Sequence, residues 1–326
     1  MKLGFLGAGN ISGMVAPAVQ SVKSIRRVAV AARNLSDAQQ FAERWGFEKA
    51  YEGYEALLAD PEVEVVYIGT PHAFHYEQIM RCLEHGKGVI CEKAFCLNAE
   101  QTARVIAYSR EKGLFLAEAM WTRFMPSRRA IETLLKSGAI GTPRMLTANL
   151  CYPIDDKPRL TRPELGGGAL LDVGIYPLNF ALMCFGEQIA GVSSEVHLHE
   201  TGVDGMESIT LRYTDGKMAV LTAGMYSRSD RQGIIHGDKG YMAVQNINNP
   251  EAVRVYDSED RLQQELLFEQ SVNGYEYEFE EMAAAFDSGL TQTQAMPLVQ
   301  TLNVMKLCDA LRAQWGIRYP AEAEDI

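Results

Sequence analysis

The N-terminal stretch Leu3-Gly-Phe-Leu-Gly7-Ala-Gly-Asn-Ile-Ser12 joins a short apolar run to a glycine-rich turn. The run predicts a buried β-strand, and the turn directly after it opens a helical pattern. In such a turn Gly7 allows a tight bend, Gly9 lets a pyrophosphate approach the backbone, and the helix N-terminus presents amide donors. The alternative is an ordinary strand-to-helix turn. We predict a dinucleotide site that includes Gly7, Ala8, Gly9, Asn10 and Ile11.

Downstream of this turn, short apolar runs alternate with amphipathic stretches as far as about residue 120. The apolar runs predict strands at residues 3–6, 28–32, 65–68, 89–91 and 114–117, with a shorter one at 49–51. Strands that are apolar almost throughout are typical of a parallel sheet with helices on both faces. The sequence therefore predicts an N-terminal Rossmann domain, a doubly wound parallel sheet, over residues 1–120.

The second half of the chain has longer alternating segments joined by turn dipeptides, for example residues 209–213 and 218–222 around Asp215-Gly216. This pattern predicts antiparallel strands. Helical patterns cover residues 127–136, 168–185 and 296–315. We predict a C-terminal α+β domain over residues 121–326, with a large, mostly antiparallel open sheet and covering helices.

Composition excludes several classes of function. The 326 residues carry 31 Lys and Arg against 42 Asp and Glu, a net charge of −11, which disfavours binding to nucleic acid or to anionic lipid. No continuous apolar run reaches the roughly 20 residues of a membrane span, and the N-terminus does not resemble a signal peptide. We expect a cytoplasmic protein without nucleic-acid or membrane partners, in which the 6 cysteines are reduced.

The end of the second predicted strand bears on the choice of dinucleotide. NAD-binding proteins commonly place an acidic residue there to bind the adenosine ribose, whereas this chain reads Ala31-Ala32-Arg33-Asn34. A guanidinium pairs with a 2′-phosphate that a carboxylate would repel. Arg33 therefore favours NADP, with NAD possible; the alternative is a solvated loop arginine.

Two further polar segments follow predicted strands, Thr70-Pro71-His72-Ala-Phe-His75 and Glu92-Lys93. The carboxyl ends of parallel strands lie at one edge of a sheet, so both segments are expected near the glycine turn. Lys93 is a candidate proton carrier or hydroxyl anchor. Without these neighbours, a simple exposed lysine at a strand end would be the better interpretation.

Other patterns carry weaker signals. The pairs His72 with His75 and His197 with His199 could suggest a metal, but helix capping and a polar strand face explain them, and we predict no metal site. Tyr108 and Lys112 have the Tyr-x-x-x-Lys spacing of short-chain dehydrogenases. They lie in a predicted crossover helix, where a solvated i, i+4 pair is the simpler explanation.

The segment Gly166-Gly-Gly-Ala-Leu-Leu-Asp172-Val-Gly-Ile-Tyr176-Pro-Leu-Asn179 enters the predicted helix 168–185. On one α-helix Asp172, Tyr176 and Asn179 share a face within an otherwise apolar stretch. From spacing alone they could equally cap and bridge within a domain interface. A phenol near an ammonium can move a hydroxyl proton while hydride passes to nicotinamide, and a carboxylate can orient the substrate.

These segments, in this order, resemble the family of glucose-fructose oxidoreductase, inositol dehydrogenase and MocA-like proteins. Residues 118–126, Glu-Ala-Met-Trp-Thr-Arg-Phe-Met-Pro, and Tyr176 resemble the branch that contains dimeric trans-dihydrodiol dehydrogenase and NADP-dependent D-xylose dehydrogenase. Many relatives carry histidine in place of Tyr176. The resemblance implies a homodimer formed through the open face of the second sheet.

The resemblance also implies roles for individual residues. Lys93 and Tyr176 would handle the proton, and Asp172 would partner the substrate or the lysine. The residues expected to bind cofactor are, besides the glycine turn, Arg33, Thr70, Pro71, His75, Glu92, Lys93, Trp121 and Arg123. The residues expected to contact substrate are Trp121, Phe124, Asp172, Tyr176 and Asn179.

One departure concerns Ala94, because the family usually has proline after the lysine, often in a cis bond. A cis bond before a non-proline residue costs about 2.5 to 4 kcal/mol, so we expect a trans bond between Lys93 and Ala94.

Taken together, the sequence predicts an NADP-dependent oxidoreductase that transfers hydride between nicotinamide and the hydroxyl or carbonyl carbon of a sugar, cyclic polyol or trans-dihydrodiol. Two alternatives stay open: a non-catalytic NADP-binding sensor or partner protein, and an NAD-linked dehydrogenase of the inositol type.

Overall fold

The computed structural model describes residues 1–269 and 271–322. Its strands are β1 (Lys2–Leu6), β2 (Arg26–Ala32), β3 (Lys49–Glu52), β4 (Val65–Ile68), β5 (Gly88–Glu92), β6 (Leu116–Ala119), β7 (Pro143–Cys151), β8 (Ile189–Leu198), β9 (Asp204–Tyr213), β10 (Met218–Gly224), β11 (Gly233–Gly237), β12 (Gly240–Gln245), β13 (Ala252–Asp257) and β14 (Leu262–Leu267). Its α-helices are α1 (Asn10–Ser21), α2 (Leu35–Trp45), α3 (Glu55–Leu58), α4 (His75–Glu84), α5 (Ala99–Lys112), α6 (Pro126–Lys136), α7 (Pro158–Thr161), α8 (Ile175–Phe185), α9 (Glu276–Asp287) and α10 (Leu298–Trp315).

The chain divides into two compact units. The first consists of Met1–Phe124 with Gln270–Met305, and the second of Met125–Glu269 with Lys306–Ile326. The division into domains at residues 120 and 121 stays a prediction. The compact units differ from it in assigning a late segment, which includes α9, to the first unit.

The first unit is built on a six-stranded sheet in the order β3-β2-β1-β4-β5-β6. All its strand pairs are parallel. Strands β4, β5 and β6 are buried at every residue, as happens when helices cover both faces of a sheet. The predicted doubly wound parallel sheet is confirmed.

Asparagine caps start two of the crossover helices in this unit, and glycines end them. The side chains of Asn34 and Asn98 accept hydrogen bonds from backbone amides in the first turns of α2 and α5, both at 2.8 Å. Gly46 and Gly113 then adopt left-handed φ values of 69° and 66°. These local signals determine where each helix returns the chain to the sheet.

The last strand of this sheet begins later than predicted. The amide of Leu114 donates to the carbonyl of Ser109 at 2.9 Å, so this residue completes the C-terminal cap of α5 and does not start a strand. As a result β6 covers Leu116–Ala119 instead of residues 114–117. The shift places Glu118 inside the strand.

The second unit contains an eight-stranded sheet in the order β14-β13-β12-β11-β7-β10-β9-β8. Its pairs are antiparallel except for β7 with β10, which are parallel. In β10 buried and exposed residues alternate from Met218 to Ala223, so one face of the sheet packs against the core and the other is open. The predicted large, mostly antiparallel open sheet is confirmed.

The buried helix of this unit is not α-helical throughout. Leu170–Gly174 forms a π-helical stretch, and α8 follows directly. The expected regular α-helix from residue 168 is wrong, because the wider π turn precedes Tyr176. The segment Pro163–Phe185 has the length and a mean hydropathy, 1.5, that a membrane span needs, yet 89% of its apolar window is buried in the fold.

Candidate functional site

The glycine turn of the first unit has the geometry that its sequence predicts. Gly7 has φ of +105°, and its amide donates to the carbonyl of Ala31 in the neighbouring strand at 2.9 Å. Ser12 is fully buried, and its Oγ lies 2.6 Å from where a Cβ on Gly69 would be. Serine at the third glycine position thus permits close packing of α1 on β4 and the residues that follow it.

The same turn fits an anionic ligand. A Cβ added to Gly9 would meet nothing within 4 Å, so protein packing does not require glycine there, and the backbone is open to a bound group. Gly9 is also the N-cap of α1, whose first turn contains no acidic residue. The amide groups and positive dipole end of α1 are therefore available to a pyrophosphate.

Arg33 follows β2 and is exposed. The nearby carboxylate of Asp37 accepts a hydrogen bond from the amide of the Asn34 side chain at 2.7 Å, as part of the cap of α2. Burial raises the pKa of the Tyr54 phenol, and the positive charge of Arg33 partly opposes this increase. The end of β2 thus offers a cation at the position where NAD-binding proteins commonly have an acid.

His75, which is predicted to bind cofactor, is the first residue of α4. The ring is fully buried, with Nε2 2.8 Å from the carbonyl of Thr70 and Nδ1 2.8 Å from the carbonyl of Ala94. Burial lowers the pKa of His75 from its usual value. Each ring nitrogen lies within hydrogen-bond distance of a backbone oxygen, and the neutral ring donates to one of the two, so His75 lies between the segment after β4 and the segment after β5.

The peptide bond between Lys93 and Ala94 is cis. The expected trans bond is therefore wrong. The trans preference is local, whereas Ala94 is fully buried and its carbonyl is bound by His75, so tertiary contacts decide the conformation here.

Three buried carboxyl groups surround the ends of β5 and β6. Glu92 accepts a hydrogen bond from the hydroxyl of Tyr67 at 2.7 Å. Burial raises the pKa of Glu118 to about 7, against the opposing effects of the Thr301 hydroxyl and the Arg123 charge. Burial and the charge of Glu92 hold the pKa of Glu278 well above its usual range. Glu118 and Glu278 are not among the residues predicted from the sequence, although Glu118 stands out as a charge in an apolar strand.

Residues 121–124 lie directly after β6. Arg123 is 3% exposed, with Nε donating to the carbonyl of Ala295 at 3.4 Å and a terminal nitrogen donating to Gln300. The ring of Trp121 stacks on Tyr275 with centroids 4.3 Å apart. Phe124 is 4% exposed. Tyr275 was also missed, since nothing in its local sequence indicates an aromatic partner so far along the chain.

In the second unit, the predicted substrate residues lie on or beside the π-helical stretch. Oδ2 of Asp172 pairs with Nη1 of Arg159 at 2.6 Å, and Tyr176 lies in the first turn of α8 with 8% of its surface exposed. Asn179 is 1% exposed, and its side chain donates to the carbonyl of Ile175 at 3.0 Å. The sequence analysis did not identify Arg159.

Two further acids lie beneath this stretch on β9. Asp204 accepts a hydrogen bond from the amide of Leu170, and burial raises its pKa to about 6. Burial and the charge of Asp204 hold the pKa of Glu207 well above its usual range. A Cβ on Gly168 would lie 2.3 Å from Asp204, and one on Gly174 2.4 Å from Glu207. These glycines let the π-helical stretch approach the two carboxyl groups.

The structure shows no arrangement for a metal in the part of the chain that it describes: no group of three or more His, Cys, Asp or Glu residues could hold an ion. Of the two histidine pairs, His72 and His75 lie at the start of α4, while His197 lies in β8 and His199 just beyond it. Tyr108 and Lys112 lie in α5, as predicted.

Comparisons with known proteins agree with this architecture. Residues 1–120 match an oxidoreductase family with an NAD-binding Rossmann fold, GFO/IDH/MocA, and residues 128–243 match the C-terminal domain of the same family. A trans-1,2-dihydrobenzene-1,2-diol dehydrogenase from Xenopus laevis is 35% identical, with 98% of this chain and 99% of that protein covered. The corresponding protein from Mus musculus is 33% identical, with 99% of each chain covered.

Solved structures of other proteins share the fold of this chain. A 3-ketoreductase from Actinomadura kijaniata, crystallised with NADP and TDP-benzene, is 28% identical with a TM-score of 0.88, over 96% of this chain and 97% of its own. An aldose-aldose oxidoreductase from Caulobacter crescentus shares the fold with a TM-score of 0.88 at 20% identity, covering 97% of each chain. With these relatives and the glycine turn before α1, the chain belongs to the GFO/IDH/MocA family of NAD(P)-dependent oxidoreductases.

Proposed function

We propose that this protein is an NADP-dependent oxidoreductase acting on a hydroxyl or carbonyl carbon of a sugar, cyclic polyol or trans-dihydrodiol. The observation that carries the proposal is the glycine turn. The backbone of Gly9 has open space beside it, and the N-terminus of α1 has neither a side-chain cap nor an acidic residue in its first turn, so its amides can bind a pyrophosphate. The trans-dihydrodiol dehydrogenases and the 3-ketoreductase among its relatives support a substrate carbon that carries a hydroxyl or carbonyl group.

The cofactor residues act by binding and orientation. Residues 7–11 hold the pyrophosphate through backbone amides, and Arg33 pairs with the 2′-phosphate. Thr70, Pro71, Trp121 and Arg123 are proposed to border the remainder of the cofactor. His75 and Glu92 are buried and bonded to other protein groups, so we assign them to positioning the cofactor residues.

We assign the transfer of the substrate's hydroxyl proton to Lys93 and Tyr176. When bound, the nicotinamide accepts or supplies the hydride at the substrate carbon. During oxidation the hydroxyl proton passes to the phenolate oxygen of Tyr176, which becomes a phenol, while the ammonium of Lys93 favours the phenolate and the negative charge that develops on the substrate oxygen. Asp172, oriented by Arg159, accepts a hydrogen bond from a neighbouring substrate hydroxyl. Phe124 and Asn179 are proposed to complete the substrate site.

We further propose a cytoplasmic homodimer that uses the open face of the second sheet. Met145, Met218 and Val220 are 38%, 39% and 36% exposed, which is high for large apolar side chains. Met145 and Met218 are direct partners across the parallel pair of β7 and β10. A row of exposed apolar side chains at the centre of a sheet is typical of a surface that another chain covers.

The test is a substrate panel of aldoses, inositols, dicarbonyl compounds and trans-diols, followed by NADPH absorbance in both reaction directions. We expect turnover with at least one class, and a loss of 100-fold or more in kcat for Lys93→Met and for Tyr176→Phe, on the order of a general acid-base contribution. NADP affinity should change little in both variants.

Lys112→Met and Tyr108→Phe are matched controls, because this pair on α5 has been assigned no role in the reaction. Both controls should keep wild-type turnover. NADP binding without turnover on the whole panel would favour the non-catalytic sensor, and a preference for NAD would favour the dehydrogenase of the inositol type.

A further inference from the structure

A cationic corner of the second unit has no role in the reaction described so far. Tyr152 directly follows β7, Arg231 lies shortly before β11, and Asn248 lies between β12 and β13. The guanidinium carbon of Arg231 is 5.9 Å from the centroid of the Tyr152 ring, and Asn248 donates to the hydroxyl of Tyr152 at 3.2 Å. Residues from three different loops therefore come together at the ring of Tyr152.

The guanidinium of Arg231 is partly exposed and keeps its donors available. Within residues 1–269 and 271–322 it makes no hydrogen bond or ion pair, and the Tyr152 ring is its recorded partner. The adjacent carboxylate, Asp230, instead accepts from the side chain of Asn149 at 2.7 Å and from the amide of Gln232 at 3.1 Å. A planar cation on an aromatic ring, with no acid bound to it, is suited to receive an oxyanion.

The backbone holds Arg231 in an unusual conformation. Its φ is 60°, a left-handed value that is unfavourable for a residue other than glycine. Its amide donates to the Asn149 side chain at 3.0 Å, and its carbonyl accepts from the amide of Ile247 at 2.8 Å. Asn246, the neighbour of Ile247, also has φ of 60°. Hydrogen bonds of its amide and its carbonyl therefore fix the backbone of Arg231.

We propose that Arg231, supported by Tyr152, is a specificity-determining residue that binds an oxyanion on the substrate, a carboxylate or a phosphate, away from the reacting carbon. This inference rests on the proposed function, because it names a feature of the substrate of that same reaction. Parallel strands β7 and β10 end together at Cys151 and Gly224, so Tyr152 lies at their carboxyl edge. The π-helical stretch that carries Asp172 packs against the same two strands.

The experiment measures binding and turnover separately, with the NADP-saturated protein. The probes are D-glucose, D-glucuronate and D-glucose 6-phosphate, titrated by calorimetry and then assayed for NADPH formation. We expect at least one anion to bind 10-fold or more tightly than glucose, and Arg231→Gln to remove about 10- to 100-fold of that preference. Arg231→Lys should retain part of it, and the contrast between the two anions identifies the oxyanion.

Two variants act as controls. Arg261→Gln removes a solvent-exposed guanidinium paired with Asp257 and should leave the preference unchanged. Tyr152→Phe keeps the ring and should retain the preference, whereas Tyr152→Leu should weaken it. Equal affinity for the three probes, or a preference that survives Arg231→Gln, would show the inference to be wrong. Selective binding of an anion without any turnover would instead contradict the proposed function alone.

Discussion

At the scale of single residues, Arg33 is proposed to select between two cofactors that differ by one phosphate. A guanidinium that pairs with the 2′-phosphate contributes to the binding of NADP but not of NAD. Removing the guanidinium should therefore weaken NADP binding and leave NAD binding nearly unchanged. The chain offers a comparable arginine nearby, since Arg44 on α2 is exposed and lies 4.8 Å over the Trp45 ring.

We predict that Arg33→Ala raises the Kd for NADP about 10- to 100-fold, the usual effect of losing hydrogen bonds to a charged group. The Kd for NAD should change less than about 3-fold. Fluorescence titration of the two cofactors measures both values, with Arg44→Ala as the control. If Arg33→Ala weakens both cofactors equally, Arg33 does not select the 2′-phosphate.

Glu118 shows what a buried acid does to stability. Its pKa is raised from 4.5 to about 7, so between these values the unfolded chain releases a proton that the folded chain keeps. The free energy of unfolding therefore decreases as pH rises through this range, by roughly 3 kcal/mol for an isolated group. Below pH 4.5 this destabilisation is absent.

Glu118→Gln should remove this destabilisation because glutamine stays neutral. We predict that the variant is more stable than wild type by about 1 to 3 kcal/mol at pH 8, and that the difference nearly disappears at pH 4.5. Urea unfolding at both pH values tests this. Glu100→Gln, at a position where the carboxyl side chain is 73% exposed, should show no such pH dependence. A difference that grows toward low pH would contradict the assigned direction.

At the scale of elements, the two glycines of the turn between β1 and α1 are expected to serve different purposes, Gly7 the fold and Gly9 the proposed cofactor site. Gly7 has a left-handed φ and lies close to the backbone of Gly69, so it serves the fold. Gly9 has φ of −84° and open space beside it, so alanine is compatible with its conformation. Any cost of alanine at Gly9 should therefore appear in cofactor binding.

Gly9→Ala should keep the free energy of unfolding within about 1 kcal/mol of wild type while raising the Kd for NADP 10-fold or more. Gly13→Ala, inside α1 and equally free of neighbours, is the matched control. It should bind NADP normally and gain up to about 1 kcal/mol from helix propensity. Normal NADP affinity in Gly9→Ala would contradict the proposed approach of the pyrophosphate.

At the scale of the whole molecule, the open face of the eight-stranded sheet is the proposed interface of a homodimer. Val220 lies at the centre of the sheet, opposite Thr147 on one side and Thr210 on the other. A charge placed there in a dimer would be buried without a partner, at a cost of several kcal/mol.

We predict that the wild-type protein is a dimer and that Val220→Lys weakens dimerisation 100-fold or more. Sedimentation velocity over a range of concentrations measures this. Val299→Lys is the control, since Val299 is 52% exposed on α10 and is not part of the open sheet face. A monomeric wild type, or a dimer unaffected by Val220→Lys, would exclude this face as the interface.

The sequence by itself determined the parallel sheet of the first unit, the glycine turn and the open sheet of the second unit. These features follow from local rules: apolar runs of strand length, glycines where φ is positive, and strict alternation of apolar and polar residues. For the same reason the asparagine caps and terminal glycines of α2 and α5 can be read directly from the chain.

Only the tertiary structure decided the cis bond before Ala94, the π turn before Tyr176 and the burial of Glu118 and Glu278. The first two depend on groups distant in sequence: a ring nitrogen of His75 lies 2.8 Å from the carbonyl oxygen of Ala94, and the carboxylate of Asp204 accepts a hydrogen bond from the amide of Leu170. A short window of sequence contains the local preference but not these partners. Packing and buried hydrogen bonds then outweigh local preferences, because leaving such groups unpaired in the core costs more than the local distortion.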